Sequence, residues 1–102
     1  MAEFVRVAKT TDITPGESLL VEANGKPVAL FKCGSELFAI DDSCTHRGGS
    51  LSEGDVSGHT VTCPWHGASF DVRTGEVTGP PARESVGCYG VRISGNDIEI
   101  EV

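Results

Sequence analysis

Residues 18–31 read Ser-Leu-Leu-Val-Glu-Ala-Asn-Gly-Lys-Pro-Val-Ala-Leu-Phe. Two short apolar-rich segments, 18–23 and 26–31, flank Asn24-Gly25, a dipeptide that tolerates the positive backbone angles of a tight hairpin turn. A second turn at Gly34-Ser35 leads into another apolar run at 37–40. Towards both ends of the chain the period-2 signal recurs, whereas a period of 3.6 does not. Phe4-Val5-Arg6-Val7 opens with a strand pattern, and the stretch 9–15 before Gly16 reads as a loop with at most one helical turn. Near the other end, 91–93 and 97–102 are separated by Ser94-Gly95-Asn96. There Ile98, Ile100 and Val102 alternate with Glu99 and Glu101, as in a strand with one buried face. Both ends of the chain therefore predict an antiparallel sheet or small barrel.

The 102 residues correspond to one domain, with a modest core. Apolar residues make up 38% and glycine adds 13 positions, an ordinary globular share that argues against intrinsic disorder. The longest apolar runs, 28–31 and 37–40, are far short of the roughly 20 residues that span a bilayer. The opening Met-Ala-Glu-Phe-Val-Arg lacks an apolar stretch of signal-peptide length, so a cytoplasmic location is expected. Eight basic against 15 acidic residues give a net charge of -7. That field repels phosphate backbones and anionic lipid, which makes a basic protein surface a more natural partner than nucleic acid or membrane. With no export signal, the four cysteines suggest metal or redox work more than disulfides.

Residues 41–81 differ from the strand-rich ends. They concentrate seven glycines, three of the five prolines and all three histidines, so something other than packing is expected to fix them. We read this stretch as a small insertion on the sheet scaffold. It carries two clusters, Cys44-Thr45-His46 and, after sixteen intervening residues, Cys63-Pro64-Trp65-His66. Each pairs a soft thiolate with an imidazole on a tight loop. Two sulfurs and two nitrogens suit either zinc or an iron-sulfur cluster. Structural zinc sites usually separate paired ligands by two to four residues, whereas Cys44 and His46 are separated by one, so two similar loops gripping a dinuclear cluster is the better reading.

The pair Cys-Thr-His and Cys-Pro-Trp-His-Gly resembles the cluster-binding loops of Rieske proteins, and the strand-rich ends and Gly79-Pro80-Pro81 resemble that family's base and its proline-containing cover loop. The resemblance implies an all-β fold, a Rieske-like antiparallel β-sandwich or barrel base with a small cluster-binding subdomain, in a single domain of residues 1–102 with the insertion at 41–81. It also implies one 2Fe-2S cluster, with Cys44 and Cys63 on the buried iron and His46 and His66 on the outer iron.

Departures from the family pattern narrow the subclass. Respiratory Rieske proteins carry a further cysteine in each loop, joined by a disulfide, where this chain has Gly49 and Trp65. No such bridge can form here, which fits a reducing compartment. High-potential relatives also place a serine and a tyrosine where Ala68 and Phe70 stand, with Ser69 an alternative hydroxyl donor at a different place in the loop. Fewer donors to sulfur imply a potential near the low end of the Rieske range, roughly -150 mV. This resembles the ferredoxins serving bacterial aromatic-ring-hydroxylating dioxygenases.

The expected function is that of a one-electron carrier between an NAD(P)H-dependent flavoprotein reductase and a terminal oxygenase. It is an electron-transfer component without a catalytic residue of its own, and a monomer is expected. A nitrite-reductase small-subunit-like structural partner and a zinc-binding interaction module are the alternatives. Outside the motif, Cys33 and Cys88 read as partly buried thiols, a disulfide between them being the lesser reading. His59 and Arg47 read as ordinary exposed residues, and Glu99 and Glu101 as a solvated strand face. Trp65 reads equally as a docking aromatic or a hydrophobic cover; Leu51, Pro64, Pro80 and Pro81 read as an apolar rim that excludes water from the cluster, with a rigid loop the equal reading for the two adjacent prolines. Asp71 and the turn Arg73-Thr74-Gly75-Glu76 read as structural.

Overall fold

The computed structural model describes residues 3–42, 50–64, 67–79 and 85–101. Eleven strands appear among them: β1 (Phe4–Lys9), β2 (Ser18–Ala23), β3 (Lys26–Cys33), β4 (Glu36–Asp41), β5 (Asp55–Ser57), β6 (Thr60–Thr62), β7 (Ser69–Asp71), β8 (Val77–Gly79), β9 (Cys88–Tyr89), β10 (Val91–Ser94) and β11 (Asp97–Glu101). All pairings are antiparallel, in three sheets ordered β1-β11-β10, β2-β3-β4-β9 and β5-β6-β7-β8. The stretch 9–15 holds one 3-10 turn, Thr10–Asp12. Asn24 and Gly25 have φ of 52° and 78°, the left-handed pair that a two-residue hairpin of this hand requires.

The first two sheets form the base. Ile98 and Ile100 of β11 pack against Val21, Ala23, Val28, Leu30 and Ala39. Successive side chains on a strand point to opposite faces. Thus Val28 and Leu30 enter this base core, while Ala29 and Phe31 of the same strand enter a second core with Leu51, Val61, Cys63, Ala68, Phe70, Val72 and Val86. β4 divides in the same way, with Leu37 and Ala39 towards the base core and Phe38 and Ile40 towards the second. The two four-residue apolar runs therefore belong to strands covered on both faces, which explains why they do not alternate with polar residues. β5 to β8 form the small sheet that closes the second core.

Several expectations are corrected and others hold. Leu51 is fully buried core, not rim, and Pro64 is exposed. Cys88 is exposed, and Cys33 is half-buried with its Sγ donating to the Gly58 carbonyl at 3.4 Å. A Cys33–Cys88 disulfide is excluded by register: Cys33 pairs with Glu36 and Cys88 with Ile40 along β4. Four residues of strand separate those positions by about 13 Å, beyond the roughly 7 Å reach of a disulfide. His59 is half-buried, its ring meeting Phe38 edge-on at 5.7 Å and its carbonyl accepting the Val72 N–H at 2.8 Å. Glu99 is tied to Arg92 at 2.6 Å, with its side chain 19% exposed. Asp71 and Arg73 are structural as expected, the Arg73 backbone and guanidinium all donating to the one carboxylate.

Candidate metal centre

Cys63 directly follows β6 and is 2% exposed. Its turn is closed at both ends, Cys63 N–H donating to the Ala68 carbonyl at 2.7 Å and Gly67 N–H to the Cys63 carbonyl at 3.2 Å. Gly67 takes φ of 76°, a left-handed conformation that a side chain would strain, so glycine is required after the Cys-Pro-Trp-His motif. The chain then enters β7, which pairs back onto β6 with Val61 opposite Phe70. Ala68 and Phe70 are both fully buried in the core that holds Cys63, so the two positions expected to lack hydroxyls are packed with apolar groups. Ser69 lies between them, its Oγ accepting from Thr78 Oγ1 at 3.0 Å.

The other sequence-predicted ligands, Cys44, His46 and His66, lie outside the described residues, as do Arg47, Gly49, Trp65, Pro80 and Pro81. What the structure does fix is the described residues on either side of them. Asp42 and the segment 50–52 bracket loop 43–49: Leu51 N–H donates to the Asp42 carbonyl at 2.7 Å, Ser50 Oγ to Asp42 Oδ2 at 2.7 Å and Ser52 N–H to Asp42 Oδ1 at 2.8 Å. Segment 80–84 is bracketed likewise. Val77 N–H donates to Ser85 Oγ at 3.1 Å, Val86 N–H to the Gly75 carbonyl at 2.9 Å, and Gly87 N–H to Asp41 Oδ2 at 2.8 Å. Tyr89 Oη also donates to Asp41. Burial first, then this bond to Asp41, pushes the Tyr89 hydroxyl up to about 12. Residues beside all three segments, Leu51, Cys63 with Ala68, and Val86, meet in one core.

Sequence reasoning missed Asp41, Asp42, Ser50, Ser52 and Tyr89 as supports of the site. The available signal was an adjacent acidic pair immediately after an apolar strand. Pleating sends such neighbours to opposite sides. Here each carboxylate fastens a different loop. Cys33 plays no part in this arrangement: burial first, and Glu36 second, push its thiol up, which keeps it protonated.

The surroundings of Cys63 fit an iron-sulfur cluster: a sulfur withdrawn from water, on a turn held by backbone hydrogen bonds, beside a well-packed apolar core. A sequence-family comparison agrees. The Rieske [2Fe-2S] domain model matches residues 3–90, and the chain belongs to that family. Its cofactor is accordingly a 2Fe-2S cluster. The biphenyl dioxygenase ferredoxin subunit of Pseudomonas sp. (strain KKS102) is 39% identical over 99 residues, covering 96% of this chain and 91% of that protein. Among solved structures, the ferredoxin of carbazole 1,9a-dioxygenase from Nocardioides aromaticivorans IC177 superposes with a TM-score of 0.91 at 31% identity, over 95% of each chain. A complex of reduced oxygenase and oxidised ferredoxin in carbazole 1,9a-dioxygenase contains a chain matching at TM-score 0.89 and 32% identity, over 95% of this chain and 91% of that one. The chain is a one-electron carrier, and an electron-transfer component instead of a catalyst. No helix among the described residues is long and apolar enough to cross a membrane.

Proposed function

We propose that residues 1–102 form a single Rieske ferredoxin domain in which the insertion 41–81 holds the cluster, with Cys44 and Cys63 on the inner iron and His46 and His66 on the outer iron. The observation that carries this reading is the occurrence of Cys-Thr-His and Cys-Pro-Trp-His in a chain matching dioxygenase ferredoxins over nearly its whole length, with Cys63 sunk into an apolar core. When bound, the cluster supplies a reversible one-electron couple. The chain's own residues keep water from the sulfur side, through Leu51, Val61, Ala68 and Phe70. On the nitrogen side, His46 and His66 would each hold the cluster through one ring nitrogen, which would leave the other free to donate a hydrogen bond to a partner. Placing the added charge on the histidine-bound iron would limit the cost of charging the interior.

The partners in this proposal are a flavoprotein reductase fed by NAD(P)H and a terminal oxygenase of an aromatic-ring dioxygenase system, met in turn by a cytoplasmic monomer through a small, transient contact. The net charge of -7 favours basic docking patches. Iron and acid-labile sulfide analysis, with electron paramagnetic resonance of the dithionite-reduced protein, tests the ligand set. The expected result is two irons and two sulfides per chain, lost in Cys63→Ser and Cys44→Ser. A His66→Cys variant retaining both its cluster and an unchanged potential would overturn the division of roles. A colourless protein with stoichiometric zinc would overturn the cluster itself.

A further inference from the structure

Asp42 is the one buried charged side chain among the described residues, 7% exposed. Its carboxylate is held by neutral donors, Ser50 Oγ and the Ser52 N–H. Ser50 Oγ lies 2.9 Å from Ser52 Oγ, and Ser18 Oγ of β2 donates to the Ser52 carbonyl at 2.5 Å, so the knot is tied to the base sheet. No ion pair to Asp42 is present among the described residues. Burying a charge without a counterion is costly. Joining the two ends of segment 43–49 does not demand that charge, because a neutral amide could still bond to both Ser50 and Ser52, accepting from one and donating to the other. The negative charge therefore needs a reason of its own, and the sequence places it two residues before Cys44. Covalent geometry keeps those two Cα atoms within about 7 Å.

We propose that Asp42 is a positioning residue for the cluster that also sets its potential: it fixes the ends of the first ligand loop and holds a buried negative charge opposing reduction. This rests on the ligand assignment above. With neutral imidazoles, two ferric ions, two sulfides and two thiolates sum to zero charge, and one electron from an external reductant makes the centre negative. A neighbouring carboxylate in a region of low dielectric disfavours that product and so lowers the potential. The effect is independent of the missing hydroxyls at Ala68 and Phe70 and adds to theirs.

Two substitutions separate charge from tethering. In Asp42→Asn the remaining Oδ1 still accepts the Ser52 N–H, and the new amide can donate to Ser50 Oγ, whose own proton then turns to Ser52 Oγ. This variant should keep full iron and sulfide content and the wild-type paramagnetic signal. Its oxidised–reduced equilibrium at a fixed poise should move at least threefold towards the reduced form, about 28 mV at about 59 mV per tenfold for one electron. Ser50→Ala keeps the charge and removes one tether; it should lose cluster on dilution faster than wild type while its midpoint stays in place. An unmoved midpoint in Asp42→Asn, or an equal shift in Ser50→Ala, overturns the proposal. If Asp42→Asn fails to assemble, the Ser50→Ala midpoint and cluster-loss rate decide alone. A wild-type protein without the reduced Rieske signal would instead defeat the ligand assignment.

Discussion

The base and the small sheet hold together by different means. In the base, strands of four to eight residues, apart from the two-residue β9, alternate aliphatic side chains into one core, and Ile98 and Ile100 against Val28 and Leu30 account for the packing. In the small sheet every strand is three residues long, and the connecting segments are fixed by hydrogen bonds donated to Asp41, Asp42 and backbone carbonyls. Strands that short bury too little apolar surface to hold themselves. The small sheet therefore borrows the upper face of β3 and β4 from the base and, by our proposal, takes a further cross-link from the cluster. A packed scaffold that anchors the ends of the ligand-bearing segments suits an electron carrier, because the ligands must hold one geometry in both oxidation states.

Neighbouring residues on β3 offer the sharpest test of that division. Phe31→Ala opens a cavity in the second core and Leu30→Ala one in the base core, each at a cost of about 3–5 and 2–5 kcal/mol respectively. Phe31→Ala should accelerate loss of the cluster's visible absorbance before the far-ultraviolet strand signal falls, whereas Leu30→Ala should lose both together. Simultaneous loss in both variants would show that the two cores unfold as one unit.

A smaller effect is expected where the base meets the third loop. Tyr89→Phe removes one of the two donors that the described residues offer the Asp41 carboxylate, a loss of about 1 kcal/mol. Because the folded Tyr89 value, about 12, lies above the ordinary tyrosine value of about 10, its contribution is complete below pH about 10 and is lost as pH rises through about 12. Urea midpoints of wild type should therefore fall relative to Tyr89→Phe between those two pH values and run parallel below them.

The smallest change is expected at the tip of the β7–β8 turn. Arg73 is exposed and its hydrogen bond holds the Asp71 carboxyl below the usual range, so the pair's contribution is complete above the ordinary aspartate value and is lost as pH falls below that value through the lower folded one. Arg73→Ala should leave the neutral-pH urea midpoint within measurement scatter. A larger shift would mean that the small sheet depends on this turn more than on the second core.

Most of the base was legible because a half-buried strand writes its burial as alternation, and Asn24-Gly25 marks its hairpin by the only conformation those residues make easy. The ligand candidates were legible because thiolate and imidazole in that arrangement serve few other purposes. The small sheet was less so: Asp55–Ser57, Ser69–Asp71 and Val77–Gly79 are too short to show a period. The burial of His59 against Phe38 and of Glu99 beneath Arg92 was invisible for a related reason, since each depends on a partner far away in sequence.

The order of residues by itself thus determined the antiparallel class, the chemistry of the proposed donor set and the acidic net charge, all of which depend on residue type and local spacing. The tertiary structure decided that β3 and β4 serve two cores at once and that Asp41 and Asp42 fasten different loops. Those outcomes depend on which segments the fold lays on each face of a strand, a long-range choice that local spacing does not encode.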